Sequence, residues 1–149
     1  MAFRDISRTR AAEAQLRKLS QAVEQSPVSI VITDLDGRID YVNEFFVVNT
    51  GYSRSDLIGQ NPRLPSSGKT SPAIYPDLWD TLKEGRTWQG EFINKRKDGS
   101  EFIESAIVSP IRNSDGQISQ YLAVKQDITA RRAAEEEIRH LAFFDPLTH

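Results

Sequence analysis

Trp88-Gln89-Gly90-Glu91-Phe92-Ile93-Asn94-Lys95-Arg96-Lys97-Asp98-Gly99-Ser100-Glu101-Phe102-Ile103-Glu104-Ser105-Ala106-Ile107-Val108 has the form of a chain that folds back on itself. Asp98-Gly99 supplies the positive φ angles of a tight hairpin turn, and both flanks are rich in β-branched and aromatic residues. The expected strands run from Trp88 to Lys97 and from Ser100 to Ile111. Two further Asp-Gly pairs extend the pattern. Asp36-Gly37 joins Val28–Asp34 to Arg38–Val42, and Asp115-Gly116 joins the long hairpin to a last strand from Gln117 to Asp127. Five antiparallel strands result.

Between the second and third strands the period changes. Asn43-Glu44-Phe45-Phe46 opens a short helix that Gly51 ends, and Ser53 with Asp56 has the spacing of a capping box before Leu57 and Ile58. Ser71-Pro72 starts a longer helix with Ile74, Leu78 and Leu82 as its buried stripe, stopped by Gly85. Asn61 to Gly68 reads as a loop. Two strands, a helical segment and three strands give an α+β domain.

The two ends of the chain repeat one another. Asp5-Ile6-Ser7 with Ala11, Ala12, Glu13, Leu16, Arg17 and Leu19 recurs as Asp127-Ile128-Thr129 with Ala133, Ala134, Glu135, Ile138, Arg139 and Leu141, at one constant offset. One unit of a tandem array, bracketed by two copies of its connector, has this form. Ala12, Leu16, Leu19 and Val23 line one helix face, and Ala134, Ile138 and Leu141 line the equivalent face of the second connector. Such short amphipathic helices are marginal alone in water, so the apolar stripe needs a neighbour: its own domain, or a twin helix in a parallel dimer. The expected divisions are a connector over 1–26, a domain over 27–129 and a second connector over 130–149.

Composition narrows the function. The 149 residues carry a formal charge of −2, without the basic footprint of a nucleic-acid or anionic-membrane binder. Cysteine is absent, and the two histidines, His140 and His149, lie beyond the domain, so disulfides and thiolate metal sites are excluded and no metal is expected. No apolar run approaches the ~20 residues of a membrane span, and no signal-peptide pattern opens the chain. A soluble, cytoplasmic segment is expected, with any membrane anchor of a parent protein elsewhere. No Ser-His-Asp or Cys-His set is present, so a regulatory rather than catalytic role is expected.

The motifs together resemble a PAS domain: Thr33-Asp34 with Gly37, Tyr41-Val42-Asn43, Thr50-Gly51-Tyr52, Lys97-Asp98-Gly99 and the closing Asp127-Ile128-Thr129. The resemblance implies a curved five-stranded sheet with small helices over one face, enclosing a site for a small ligand or cofactor. At the other end, Leu141-Ala142-Phe143-Phe144-Asp145-Pro146-Leu147-Thr148 resembles the entrance to a GGDEF domain, the module that makes cyclic di-GMP. That resemblance implies a diguanylate cyclase downstream in cis, with Ala130–Ala142 as the transmission helix and Asp127, Ile128 and Thr129 as the relay.

Among PAS domains the chain is similar to the flavin-binding type of redox sensors in nitrogen-fixation regulators. Gly59-Gln60-Asn61, Ser67-Gly68-Lys69-Thr70, Leu78-Trp79, Trp88-Gln89-Gly90 and Asn94-Lys95-Arg96-Lys97-Asp98 carry this likeness. It implies FAD, with Trp88 and Asn94 beside the isoalloxazine ring. Both are even-numbered on one strand and share a face of the pleat. Trp88, Phe92 and Ile30 or Ile32 are then the walls of the slot, Asn94 the partner of its polar edge, and Asn61 a further contact. As residues alone, Trp88 and Phe92 equally suit a core. An inward amide such as Asn94 needs a partner or costs about 1–3 kcal/mol, and backbone or ordered water also satisfies it.

Two positions depart from the flavin pattern. Glu104 and Lys125 stand where that group carries a second asparagine and a glutamine, and on adjacent strands they suggest an ion bridge. Light-driven adduct chemistry is excluded, because Pro62 occupies the cysteine position of the photoreceptor motif in Asn61-Pro62-Arg63-Leu64. Haem lacks an imidazole ligand within the domain. Gly68-Lys69-Thr70 ends like a P-loop, but Arg63 stands where the leading glycine is required. The expectation is a PAS sensor, homodimeric through its flanking helices. The alternative is a ligand-free PAS domain serving as a dimerisation and relay spacer.

Overall fold

All three Asp-Gly pairs turn hairpins, by a wider turn than the two-residue form. In the computed structural model, which describes residues 2–61 and 68–143, Asp34 N–H bonds Arg38 C=O at 2.8 Å, Arg96 N–H bonds Ser100 C=O at 2.7 Å and Asn113 N–H bonds Gln117 C=O at 2.8 Å. Among the described residues only glycines take positive φ, including Gly37, Gly99 and Gly116. Each turn is therefore a three-residue loop closed by a left-handed glycine, with the aspartate in ordinary backbone space. Side chains at the loop start or centre hold it: Asp34 Oδ1 accepts from the amides of Asp36 and Arg38, and Asp98 Oδ1 from that of Ser100.

The elements run α1 (Ala2–Glu24), β1 (Ser29–Thr33), β2 (Ile39–Val42), α2 (Glu44–Thr50), α3 (Arg54–Leu57), α4 (Ile74–Lys83), β3 (Trp88–Lys95), β4 (Glu101–Arg112), β5 (Ile118–Asp127) and α5 (Thr129–Phe143). One antiparallel sheet orders the strands β2-β1-β5-β4-β3. The hairpins account for three of its four pairings. The fourth, β1 with β5, sets Val31 opposite Ala123 and Thr33 opposite Tyr121, and brings the first strand beside the last.

Local signals place the short helices. Asn43 caps α2 through its side chain, Gly51 ends it at φ 80°, and the Ser53–Asp56 capping box starts α3. Helix α4 begins later than Ser71-Pro72 predicts: Pro72 sits in the preceding turn and Pro76 occupies the first helical turn, where an absent N–H is of no consequence. The core fills the space between this helical layer and one sheet face, with Val31, Ile39, Val42, Phe46, Leu57, Leu82, Trp88, Phe92, Ala106 and Val108 buried together.

The phase of β1 departs from expectation. Ser29, Val31 and Thr33 are buried, while Ile30 and Ile32 lie on the opposite face and are half-buried. Ser29-Ile30-Val31-Ile32-Thr33 offers apolar groups to both faces, so period two alone cannot choose between them. Pairing with β5 chooses.

Helices α1 and α5 carry their apolar residues outward: Leu16, Leu19, Ile138 and Leu141 are exposed. Each is anchored at the end nearest the domain. No helix among the described residues is long and apolar enough to cross a membrane. The loop positions Pro62 to Ser67, with the photoreceptor and P-loop comparisons made there, lie outside the described residues, as does most of the GGDEF-like run, from Phe144 onward.

Candidate functional site: a cavity under helix α4

A cavity of about 80 Å³ lies between α4 and the inner sheet face. Tyr75, Leu78, Trp79 and Leu82 roof it, Phe92 and Asn94 from β3 and Val108 from β4 line one side, and Tyr121, Ala123 and Lys125 from β5 line the other. Thr33, Gly37 and Asn61 complete the lining. Gly37 matters by what it lacks: a Cβ there would stand 3.0 Å from the Trp79 ring, so the glycine lets the indole close against the first hairpin. Tyr121 meets Trp79 edge-on at 5.7 Å, and Tyr75 packs on Phe92 at 6.0 Å.

A polar cluster flanks this apolar chamber. Asn94 Nδ2 donates to Glu104 Oε1 across the β3–β4 pair. Glu104 is fully buried, and its second carboxylate oxygen has no hydrogen-bond partner among the described residues. Burial pushes its pKa up, opposed by the nearby Lys125 charge and by the Asn94 hydrogen bond. Lys125 is only 5 % exposed. Its ammonium sits 5.5 Å from the Phe92 ring centre and 5.8 Å from that of Phe46, within cation–π range of both. The direct Glu104–Lys125 ion bridge suggested by the sequence is not formed. Glu104 stands opposite Asp127 and Lys125 opposite Ala106, so the two are diagonal neighbours within reach of long side chains, and Glu104 is turned instead to Asn94, its diagonal neighbour on β3.

Other expected site residues fall elsewhere. Trp88 shares the inner face with Phe92 and Asn94 but does not line the cavity. Its indole lies along its own strand over Gly90, where a Cβ would come within 2.3 Å of the ring, and Nε1 donates to Asp77 Oδ2 at 2.9 Å. The missing side chain at Gly90 makes the bed, and Asp77 of α4 pins the ring. Ile32 points to the outer face, and Val31 and Thr33 take the inward positions. Asn61 does reach the lining. Gly68-Lys69-Thr70 serves the sheet edge: the Thr70 hydroxyl accepts from Ile93 N–H at 2.9 Å and donates to Ile93 C=O at 3.2 Å, while Lys69 pairs with Glu101.

The relay residues gather at the start of α5. Asp127 Oδ1 accepts from the Thr129 amide at 3.0 Å and its hydroxyl at 2.6 Å, and that hydroxyl accepts from Ile103 N–H at 2.9 Å. Buried Ile128 donates its N–H to Ile103 C=O. The sequence reading missed Arg96, which binds Asp127 at 2.8 Å, the Asn49 carbonyl at 2.9 Å and the Phe102 face at 4.6 Å. One guanidinium thus ties the end of α2, the long hairpin and the root of α5. An arginine beside an Asp-Gly turn resembles any exposed turn cation, so no local signal marks it.

Residues 27–130 match the model of the PAS domain. The chain belongs to the PAS domain family. Its relatives include the nitrogen fixation regulatory protein of Klebsiella oxytoca, 38% identical over 118 residues, which are 79% of this chain and 24% of that protein. The PAS chain thus spans about a quarter of that relative. Among solved structures, an RNA-binding light-oxygen-voltage receptor superposes with a TM-score of 0.74 at 26% identity, over 85% of this chain and 36% of that one. A light-oxygen-voltage domain studied with a flavin analogue gives 0.68 at 26% identity, over 83% and 96%.

Whether this PAS cavity fits a flavin follows from its own side chains. A cavity of about 150 Å³ is what admits one benzene ring, and 80 Å³ does not admit three fused rings. Trp88 is folded away from the chamber, Asn94 has its amide on Glu104, and a cation stands at Lys125. These residues do not form a flavin slot in this arrangement. Among the described residues there is also no cluster of metal-ligating side chains.

Proposed function

We propose that this PAS domain is the sensory input of a larger signalling protein, that its cavity binds a small ligand, and that β5 passes the change to α5. One observation carries the reading: Lys125 in the cavity wall and Asp127 at the root of α5 lie two residues apart on β5, while Glu104 faces Asp127 across the ladder. A ligand that reorganises the Asn94–Glu104–Lys125 cluster acts on the strand that ends in the helix cap. It moves the equilibrium only by the difference in its affinity for two states.

The output follows from sequence resemblance: the run from Leu141 to Thr148 supports a diguanylate cyclase after α5, with this chain regulatory and not itself catalytic. The exposed stripes of α1 and α5 support a homodimer through the flanking helices. The divisions at 1–26, 27–129 and 130–149 follow the same logic. A second reading, redox sensing through FAD, is favoured by the nitrogen-fixation relative and the flavin-analogue neighbour. The ligand-free spacer is the reading to beat.

An absorption spectrum of the freshly purified chain, repeated after heat release of any chromophore, separates these. No flavin bands are expected, and stoichiometric FAD lost in Trp88→Ala and Asn94→Ala would establish the redox reading instead. In the parent protein, Asp127→Ala is expected to uncouple output from input while cyclase activity persists. Unchanged regulation removes that cap from the relay.

A further inference from the structure

Among the described residues Lys125 is the one cationic side chain in the cavity lining, and it has no direct acceptor there: Glu104 acts on it through its charge without forming an ion pair. Lys125 is 95 % buried, and among the described residues its ammonium has neither a hydrogen-bond acceptor nor an ion-pair partner; its recorded contacts are two phenyl faces. An ammonium has three donors and no acceptor, and a buried charge without a hydrogen-bonding counter-ion is costly. Glu104, the nearest carboxyl, is turned to Asn94. The rest of the chamber is mainly hydrocarbon: Phe92, Leu78, Leu82, Val108 and Ala123.

We propose that the cavity takes a short-chain monocarboxylate, its carboxylate on the Lys125 ammonium and its alkyl chain against Phe92, Leu82, Val108 and Ala123. This rests on the sensory reading above and names the ligand class for that site. One cation answers one negative charge, so a dicarboxylate or a phosphate ester would bury a second charge without a partner. A halide would answer the charge and leave the apolar volume unfilled. Since about 150 Å³ admits the six heavy atoms of benzene, 80 Å³ suits roughly half to two thirds that number, a carboxylate with one or at most two further carbons.

The test is a thermal-shift and calorimetric titration of the 149-residue chain with sodium acetate, propionate, butyrate and pentanoate. Sodium chloride at matched ionic strength and acetamide and propionamide serve as controls. Midpoints are expected to rise with acetate or propionate, to rise less with butyrate and pentanoate, and not to rise with the controls, since a ligand bound only by the folded state stabilises it by mass action. Lys125→Met, close in shape, is expected to fold with a midpoint equal to or above that of the parent chain and to bind roughly ten- to hundredfold more weakly, the usual range for losing a charged hydrogen bond. Ala123→Leu, which fills the chamber and keeps Lys125, is expected to lose binding as well.

Equal stabilisation by acetamide or propionamide, with Lys125→Met indifferent, overturns the carboxylate class and leaves the sensory reading standing. Equal stabilisation by chloride reduces the site to a simple anion contact and also overturns it. No binding by any probe, with Lys125→Met less stable than the parent, would mean that Lys125 already has a partner within the fold. That outcome ends both this proposal and the small-ligand reading on which it rests.

Discussion

Two buried asparagines occupy comparable places at the ends of strands and live under opposite conditions. Asn43, at the exit of β2, is fully buried and uses every hydrogen-bonding position of its amide. Oδ1 accepts from the amides of Ile30 (3.0 Å) and Phe46 (3.3 Å), and Nδ2 donates to the carbonyls of Val23 (2.9 Å) and Val28 (2.8 Å). Around it, Glu24 accepts from the Tyr41 hydroxyl, the Glu44 amide and Arg54, fastening the end of α1 to the domain. Asn94 makes one recorded side-chain hydrogen bond, to a carboxylate whose other oxygen is orphaned, beside a lysine with no acceptor. A saturated polar cluster holds a fold together; an unsaturated one at a cavity wall is a site awaiting a partner.

The contrast can be broken at its strong end first. Asn43→Ala strands the amides of Ile30 and Phe46 and the carbonyl of Val28, while Val23 C=O keeps the Ser26 N–H, so a loss of about 3–5 kcal/mol is expected in urea denaturation, near the low end of roughly 1–3 kcal/mol for each of the three groups left unpaired. A loss below about 1 kcal/mol would show that water replaces the side chain and that the cluster is not what fastens α1.

Next comes the residue that keeps Trp88 out of the chamber. Gly90→Ala places a Cβ where the indole now lies, and a cost of about 1–3 kcal/mol is expected, with a changed tryptophan fluorescence as the ring leaves Asp77. An unchanged spectrum and stability would mean that Trp88 is free to move toward the cavity, erasing its distinction from Phe92.

At the root of α5, Asp127→Ala removes a capping acceptor and a partly buried ion pair. About 1–2 kcal/mol is expected, together with faster amide exchange confined to the first turn of α5. Exchange spread evenly through the sheet would show that the tie to Arg96 supports the whole domain.

The finest comparison sets two carboxylates against each other by pH. Hydrogen bonding from Tyr41 chiefly, aided by Arg54, holds Glu24 below the ordinary carboxyl value of 4.5, while burial holds Glu104 above it. The folded state therefore sheds the Glu24 proton more readily than the unfolded chain and keeps that of Glu104 more firmly. Stability from Glu24 is present above the unfolded value and is lost as pH falls through the lower folded one. Stability from Glu104 is complete below the unfolded value and is lost as pH rises through the higher folded one. Glu24→Gln should thus destabilise at neutral pH, with the deficit shrinking on acidification. Glu104→Gln should stabilise at neutral pH, with the gain vanishing in acid. Parallel profiles for the two variants in denaturation across pH would abolish the distinction between the clusters.

Much of this was readable from residues close together in the chain. The three Asp-Gly hairpins, the Asn43 and Ser53 caps, the glycine stop of α2 and the stripe of α4 rest on turn geometry and helix periodicity, which act within a few residues. The shared face of Trp88, Phe92 and Asn94 rests on alternation along one strand, while Glu104 and Lys125 were placed at the site by the family resemblance. Their contacts were another matter. Asn43 was visible as a helix cap but not as the hub that also holds Val23, Val28 and Ile30, since those bonds form only when β1 and β2 pair.

Local chemistry determined which segments are strands, where they turn and that the Asn94 amide shares a face with Trp88 and Phe92, because each of these depends on φ, on period two or on neighbours in sequence. Tertiary structure alone decided the rest. Pairing of β1 with β5 turned Val31 inward and Ile32 outward, the bare backbone at Gly90 drew Trp88 down away from the cavity, and the hydrogen bond across β3 and β4 turned Glu104 to Asn94 and not to Lys125. In each case the outcome is set by which atoms from distant parts of the chain arrive in the same few ångströms. A periodic pattern carries no information about that.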